Sequence, residues 1–233
     1  MHARPVLDDV ARLGGFFAVF TDPAESADPT WRPMRELYTD PEPIRARIAH
    51  VGRTLQSDQR VAASIAFQGL AAMLLSAPMA AVAVHDVLPA LTVDALHWRP
   101  VASGPWPLWC AEPRSRDPDE LATMLLDEHL APLVAAFQVQ VPISERLLWG
   151  SVASAVASAK RMIGVERPER AERAAAVAAR LLRTGPLDGT GDLLPPSGPD
   201  HLWSFRRRSC CLYYRVAAGT YCGDCILPVR RRR

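Results

Sequence analysis

The sequence is poor in lysine and in aromatic residues, and its net charge is close to zero. Lys160 is the only lysine among 27 basic residues, aromatic side chains make up 7% of the chain, and the formal net charge is +2. The apolar residues are therefore mainly alanine, leucine and valine, which favour helices over large sheets. No Walker loop or dinucleotide-binding glycine motif occurs, so direct NAD(P)H binding is not expected. Because the charge is nearly balanced, we expect no nucleic-acid partner.

A signal peptide and a membrane span are also not predicted. Residues 1–20 carry Asp8 and Asp9 and have no basic start followed by an apolar core. The one long uncharged stretch, residues 61–84, contains polar side chains and Pro78, and its many alanines contribute little to membrane transfer. We therefore expect a buried helix that ends near Ser76, a second element after Pro78, no transmembrane segment, and a cytoplasmic location.

Local signals predict helices and one hairpin in the first part of the chain. Asp40 precedes Pro41 and Asp117 precedes Pro118. In each pair the aspartate can cap the first turn of a helix that begins with proline, which needs no amide donor there. Residues 95–112 place apolar segments on either side of a Ser-Gly-Pro sequence, which is typical of a hairpin.

The second half of the chain is predicted to hold two more helices and then a change of composition. A helix from Ser144 to about Ile163 is rich in glycine, alanine and serine, which permits close approach of a neighbouring helix or of a ligand. Packing against a helix is the favoured use. Another helix is expected from about Pro168 to Arg183, followed by a surface connector over residues 184–200.

Cysteine is scarce, but four of the five cysteines lie within the last 24 residues. Cys210 and Cys211 are adjacent, ten residues separate them from Cys222, and two more separate Cys222 from Cys225. This distribution indicates a site rather than a disulfide framework. A strand over Leu212–Val216 followed by a turn would bring the two pairs together at the base of one loop.

Four thiolates suit either a tetrahedral zinc ion or a [2Fe–2S] cluster, and residue type alone does not separate these. Adjacent cysteines are awkward ligands for one small ion, and neighbouring strand side chains point to opposite faces, so the spacing favours the larger cluster and requires a kinked backbone at Cys210 and Cys211. A zinc site that holds a small C-terminal lobe together is the alternative. A redox disulfide between Cys222 and Cys225 is less favoured, because it leaves the adjacent pair without a role.

The C-terminal region resembles the ferric-siderophore reductases of the FhuF type. The similarity rests on the spacing C-C-x10-C-x2-C and on the flanking Arg-Arg-Ser-Cys-Cys-Leu-Tyr-Tyr-Arg and Tyr-Cys-Gly-Asp-Cys. The apolar helix from Ala62, the Leu-Trp-Gly at residues 148–150 and the alanine–serine helix after it are also similar. The resemblance implies that the four cysteines ligate an unusual [2Fe–2S] cluster and that Fe(III) held by a siderophore is reduced by one electron. It also implies a ferredoxin or flavoprotein as electron donor.

Arginines and aromatic residues near the cysteines are candidates to tune such a cluster. A cluster with four thiolates is anionic and gains negative charge on reduction, so nearby arginines would favour the reduced state and attract an anionic donor or substrate. A solvated basic strip is the alternative. The aromatic side chains would shield the cluster, offer a face to a chelate, or pack the lobe. The candidates are Arg206, Arg207, Arg208, Arg215, Trp203, Tyr213, Tyr214 and Tyr221.

Together these observations predict a mainly α fold of the α+β type. A helical substrate-binding domain with a small hairpin, residues 1–183, would be joined by the connector 184–200 to a C-terminal iron–sulfur module, residues 201–233. The expected function is ferric-siderophore reduction, and the alternative is a non-enzymatic zinc- or Fe–S-binding structural or regulatory protein. We expect the ferric chelate to lie between module and helices, with residues 151–158 as one wall.

Overall fold

The computed structural model describes residues 3–200, 202–217 and 219–227. The helices are α1 Arg4–Val10, α2 Met34–Thr39, α3 Pro41–Leu55, α4 Gln59–His85, α5 Leu121–Thr123, α6 Ala131–Gln140, α7 Glu145–Glu166 and α8 Ala171–Leu181. The strands are β1 Val19–Phe20, β2 Arg32–Pro33, β3 Leu88–Pro89, β4 His97–Trp98, β5 Leu108–Trp109, β6 Ser115–Arg116, β7 Gly191–Leu194 and β8 Ser204–Arg207. Helical residues make up 59% of the structure, which confirms the predicted mainly helical fold with small sheets.

Helix α4 forms the centre of the core and packs against α3, α7 and α8. It is long and apolar enough to cross a membrane, but 78% of its most apolar window is buried inside the protein. The prediction that this helix ends near Ser76 is wrong, because α4 continues through Pro78 to His85. Pro78 is itself buried in the core. Packing around it offsets the loss of an amide hydrogen bond, which costs about 3 kcal/mol in an unsupported helix.

The local signals for helix starts and for the hairpin are confirmed. The Asp40 carboxylate accepts a hydrogen bond from the Glu42 amide at 2.9 Å, and Asp117 forms a complete capping box with Glu120. Strands β4 and β5 pair antiparallel, with Trp98 opposite Leu108. They lie in a four-stranded sheet of order β1-β5-β4-β2. After α5, the chain continues through a π-helical segment, Met124–Leu130, into α6.

The C-terminal segment is joined to the rest of the fold by a β-ladder. Strand β7 lies within residues 184–200, the segment predicted as a connector, and pairs antiparallel with β8, so that Gly191 lies opposite Arg207. The predicted strand over Leu212–Val216 is wrong: Tyr213–Arg215 forms a 3₁₀ turn instead. Leu212 has φ of +64°, a left-handed conformation that is incompatible with an extended strand through this residue.

Candidate metal centre

The four C-terminal cysteines are neighbours in space and none of them forms a disulfide. The thiols of Cys211 and Cys222 are hydrogen-bonded to each other. Cys225 is close enough to influence the ionisation of both Cys210 and Cys222. The structure therefore brings the two sequence pairs together, as the spacing predicts.

Backbone and side-chain hydrogen bonds hold the two pairs in place. The Cys225 amide donates to the Cys222 carbonyl at 3.1 Å, which closes the turn of the second pair. The amide of Arg207, in β8, donates to the Asp224 carbonyl at 3.0 Å and so ties that turn to the strand. The first pair is tied to α4, because the Ser64 hydroxyl donates to the Cys211 carbonyl at 2.7 Å. The site is thus assembled from β8, the second cysteine turn and the central helix.

The surroundings of Cys211 and Cys222 shift the pKa values of these two thiols in opposite directions. The hydrogen bond from Cys222 stabilises the Cys211 thiolate, so the pKa of Cys211 is lowered and that of Cys222 is raised. Burial raises the pKa of the Cys210 thiol. Metals bind the thiolate form, and binding therefore releases protons from such a group of thiols.

Arg207 is the buried member of the arginine run that precedes the cysteines. Its side chain is 1% exposed, and Nη2 donates to the Ser151 hydroxyl at 2.9 Å and to the Leu147 carbonyl at 3.3 Å, both on α7. Among the described residues, its Nε and Nη1 have no hydrogen-bond partner. Its charge acts to lower the pKa of Cys210 and Cys211, which places it close to the thiols.

These features fit a [2Fe–2S] cluster. Four cysteine thiolates are the usual ligand set for two iron atoms, and the complex is anionic, which suits the unpaired donors of Arg207. The type of donor and the buried cation are the features that fit the cluster, which would be held by four cysteine thiolates divided between its two iron atoms.

The other predicted arginines are exposed to solvent. Arg208 is exposed and pairs with Asp192 at 2.6 Å, and Arg206 is exposed on the same side of β8. Arg215 is exposed and pairs with Asp58, the residue that caps α4, at 2.8 Å. The run before the cysteines therefore contains one buried arginine between two solvated ones.

The predicted aromatic residues also differ in their positions. Tyr213, Tyr214 and Tyr221 are exposed at 36%, 47% and 40%, and of the three only Tyr213 lines the described cavity beside Cys211 and Cys222. The half-buried ring of Trp203 packs against Lys160, whose Nζ lies 4.2 Å from the ring centroid. Trp203 therefore belongs to a structural contact, and Tyr213 is the one of the four predicted aromatic residues that lines this cavity.

A buried ion network, absent from the sequence prediction, anchors the module to α7. The Lys160 ammonium donates to Asp200 at 2.7 Å and to the Trp203 carbonyl at 2.6 Å. Arg161 donates twice to the other oxygen of Asp200, at 2.8 and 3.0 Å, and lies 3.5 Å from Asp224. Burial acts to raise the pKa of Asp200, but the hydrogen bonds from its two cationic partners outweigh it, so that pKa is lowered. The sequence offered one signal of this network, which was Lys160, the only lysine of the chain, within a helix of small residues.

A cavity of about 510 Å³ lies between α4, α7 and the cysteines. Small side chains on the facing sides of the two helices leave this space, and Cys211 and Cys222 are among the residues that line it. Apart from the two cysteines, the described lining side chains carry no formal charge. They are Phe16, Phe17, Ile65, Gln68, Gly69, Ala72, Ser76, Ala155, Ser158, Ala159, Met162, Cys211, Tyr213 and Cys222.

Comparison with known families gives two matches. The model described as "Ferric iron reductase FhuF-like transporter" matches residues 80–197, which is just over half of the chain. The model described as "FhuF 2Fe-2S C-terminal domain" matches residues 207–225, which include the buried arginine and all four cysteines. A search of curated proteins gave no significant match.

Proposed function

Because the chain belongs to the FhuF-like ferric iron reductases with a C-terminal [2Fe–2S] domain, we propose that its substrate is Fe(III) held by a siderophore. We further propose that Cys210, Cys211, Cys222 and Cys225 ligate the cluster. When bound, a [2Fe–2S] cluster supplies electrons one at a time. Membership of a reductase family favours this enzymatic role over the non-enzymatic alternative.

The position of the cavity is the observation that carries this proposal. Cys211 and Cys222 line it, so a chelate bound between α4 and α7 would lie beside two proposed ligand residues. Its volume, about 510 Å³, is within the range of about 300–1,000 Å³ typical of ligand sites. Siderophores bind Fe(III) through hard oxygen donors that hold Fe(II) less well, so reduction releases the metal without acid–base catalysis by the protein.

The lining favours a chelate of low net charge. The cavity offers the amide of Gln68, the hydroxyls of Ser76 and Ser158, and otherwise mainly apolar surface. A strongly anionic chelate would lose hydration there and gain no cationic partner from the described lining residues. A neutral chelate with apolar linkers would keep its iron-bound oxygens paired with the metal and bury its carbon atoms against the two helices.

Substitution of Ala155 by Trp tests the cavity. Ala155 is buried on α7 and lines the cavity, so an indole there would occupy space that the chelate needs. The protein would be reduced chemically, mixed with ferric chelates of zero and high negative charge, and followed by a coloured Fe(II) trap. We expect at least a tenfold lower rate with the neutral chelate and unchanged cluster absorbance.

Ala176→Trp is the matched control, because Ala176 is exposed on α8 outside the cavity. The control should reduce the chelate at the rate of the unmodified protein. Equal rates for Ala155→Trp and the control with every chelate would contradict substrate binding in this cavity. Faster reduction of the anionic chelates than of the neutral one by the unmodified protein would contradict the proposed charge preference.

We propose a ferredoxin or flavoprotein as the electron donor and the cytoplasm as the site of the reaction. A second cavity, about 470 Å³, is lined by both Cys225 and Arg206, and Arg206 is exposed. An acidic donor that contacts Arg206 would therefore approach the cysteines at Cys225. Arg206→Gln should weaken the dependence of the cluster-reduction rate on salt, whereas Arg53→Gln on exposed α3 surface should not. An unchanged salt dependence in Arg206→Gln would contradict docking at this position.

A further inference from the structure

Arg207 has an unusual position for an arginine. It lies on β8 with its side chain buried against α7, and Nη2 is fixed by Ser151 and Leu147. The contact depends on a glycine in α7, because a Cβ at position 150 would lie 3.4 Å from Nη2 and 2.1 Å from the Ser209 hydroxyl. The guanidinium is therefore held at one place beside the cysteines.

Among the described residues around Arg207, positive charges outnumber negative ones. There are three cations, Lys160, Arg161 and Arg207, and two buried carboxylates, Asp200 and Asp224. Burial raises the pKa of Asp224, and the charges of Arg161 and Arg207 act against that rise. Arg207 makes no ion pair in the described part of the chain, and two of its nitrogens have no hydrogen-bond partner there. A buried cation without a partner is costly, so this arrangement calls for an anionic group beside it.

We propose that Arg207 is a positioning residue that supplies the compensating positive charge for the thiolate-bound cluster and favours its reduced form. The proposal rests on the ligand set proposed above. Each added electron increases the negative charge at the cysteines, and a fixed cation shielded from water stabilises that charge more strongly than an exposed one. Arg206 and Arg208, on the solvated side of β8, are screened by water and salt and contribute little.

Arg207→Gln tests the charge, Arg207→Lys restores it, and Arg208→Gln and Arg53→Gln, both at exposed arginines, are the matched controls. The readouts are iron and sulfide per chain, the far-UV circular dichroism, and the reduction potential by protein-film voltammetry at low and high salt. We expect Arg207→Gln to lower the equilibrium constant for cluster reduction at least tenfold, which is about 59 mV for one electron. Arg207→Lys should recover most of the loss, and each control should change the constant less than twofold.

Two outcomes would overturn the role of Arg207. One is an intact cluster in Arg207→Gln with an unchanged potential. The other, if Arg207→Gln does not assemble a cluster, is an equal failure of Arg207→Lys, because packing rather than charge would then be essential. Assembly in the lysine variant alone would support the charge. The ligand set is tested separately: absence of iron and sulfide from the unmodified protein, or their full retention in Cys222→Ser, would contradict the proposed function whatever Arg207 does.

Discussion

Replacement of Gly150 by alanine gives a direct test of how the cysteine segment lies on α7. Glycine in the middle of a helix normally costs about 1 kcal/mol relative to alanine, so this substitution would stabilise an unobstructed helix. Here the new Cβ would lie 2.1 Å from the Ser209 hydroxyl oxygen and 3.4 Å from the Ser209 Cβ. At 2.1 Å the Cβ and the hydroxyl oxygen would overlap strongly, whereas 3.4 Å between the two Cβ atoms is tolerable.

The expected change in the free energy of unfolding is the difference between the cost of the overlap with Ser209 and the gain from placing alanine in the helix. Forcing an extra methyl group into a packed site costs about 1–3 kcal/mol. After the helix gain of about 1 kcal/mol is subtracted, Gly150→Ala should lower the free energy of unfolding by about 1 kcal/mol. For a chain of this size that corresponds to a fall in Tm of about 2–4 °C.

Removal of the Ser209 oxygen should reverse the effect. The Ser209 hydroxyl has no hydrogen-bond partner among the described residues, so Ser209→Ala alone should cost little. In that background Gly150→Ala should stabilise the protein, which gives a coupling energy of about 2 kcal/mol between the two positions. Gly164→Ala is the matched control on the same helix, because its Cβ would lie 3.6 Å from the Ala171 Cβ, an ordinary contact.

Urea unfolding of the two single variants, the double variant and the Gly164 control measures this coupling. Gly164→Ala should raise stability by up to about 1 kcal/mol. A Gly150→Ala protein as stabilised as the Gly164 control, with zero coupling to Ser209, would refute the contact between α7 and the residue that precedes the first cysteine.

Three further predictions concern the cysteines and the buried ion network. Cys222→Ser should lose iron and sulfide and keep its far-UV circular dichroism. Cys110→Ala, at a buried cysteine outside the site, should keep its iron, its sulfide and its circular dichroism. Equal iron content in the two variants would contradict the ligand assignment. Lys160→Met should lower the free energy of unfolding by about 3 kcal/mol, because it removes one of the two cationic partners that the described residues give the buried Asp200 carboxylate. Asp200→Asn in the same chain should recover part of the loss in urea unfolding. The folded pKa of Asp200 lies below its ordinary value of 3.8, so its contribution should be complete above pH 3.8 and should be lost as the pH falls through the folded pKa; a stability-versus-pH curve unaffected by Asp200→Asn would contradict this.

The parts of the fold that the sequence predicted are those set by neighbouring residues. The caps at Asp40 and Asp117 act within one helical turn, and β4 and β5 are consecutive strands joined by residues 99–107. The helix was wrongly predicted to end near Ser76. The destabilising effect of Pro78 on a helix can be inferred from the local sequence, whereas the packing that offsets it comes from helices far away in sequence. The strand predicted over Leu212–Val216 failed for a related reason, since apolar content does not reveal a left-handed residue.

The site was predictable in its cysteines and less so in their surroundings. Spacing alone predicted that the pairs would meet, but the arginines were treated as one group. Once β8 is known, strand alternation separates them, because residues 206 and 208 share one face and Arg207 takes the other. The pairing of Lys160 with Asp200 joins residues 40 positions apart and depends on the β7–β8 ladder, which local patterns did not indicate.

The cysteine segment could not be transferred to another protein by itself, because its contacts with the rest of this chain would be lost. Its ladder partner β7 precedes it in the chain, Ser64 of α4 holds the Cys211 carbonyl, and Arg207 is buried against α7. A peptide cut at residue 201 would lose all three attachments and could not shield an iron–sulfur group from water. Heat should therefore unfold helices and cysteine segment in one cooperative transition, with the visible colour lost at the same temperature as the helical signal.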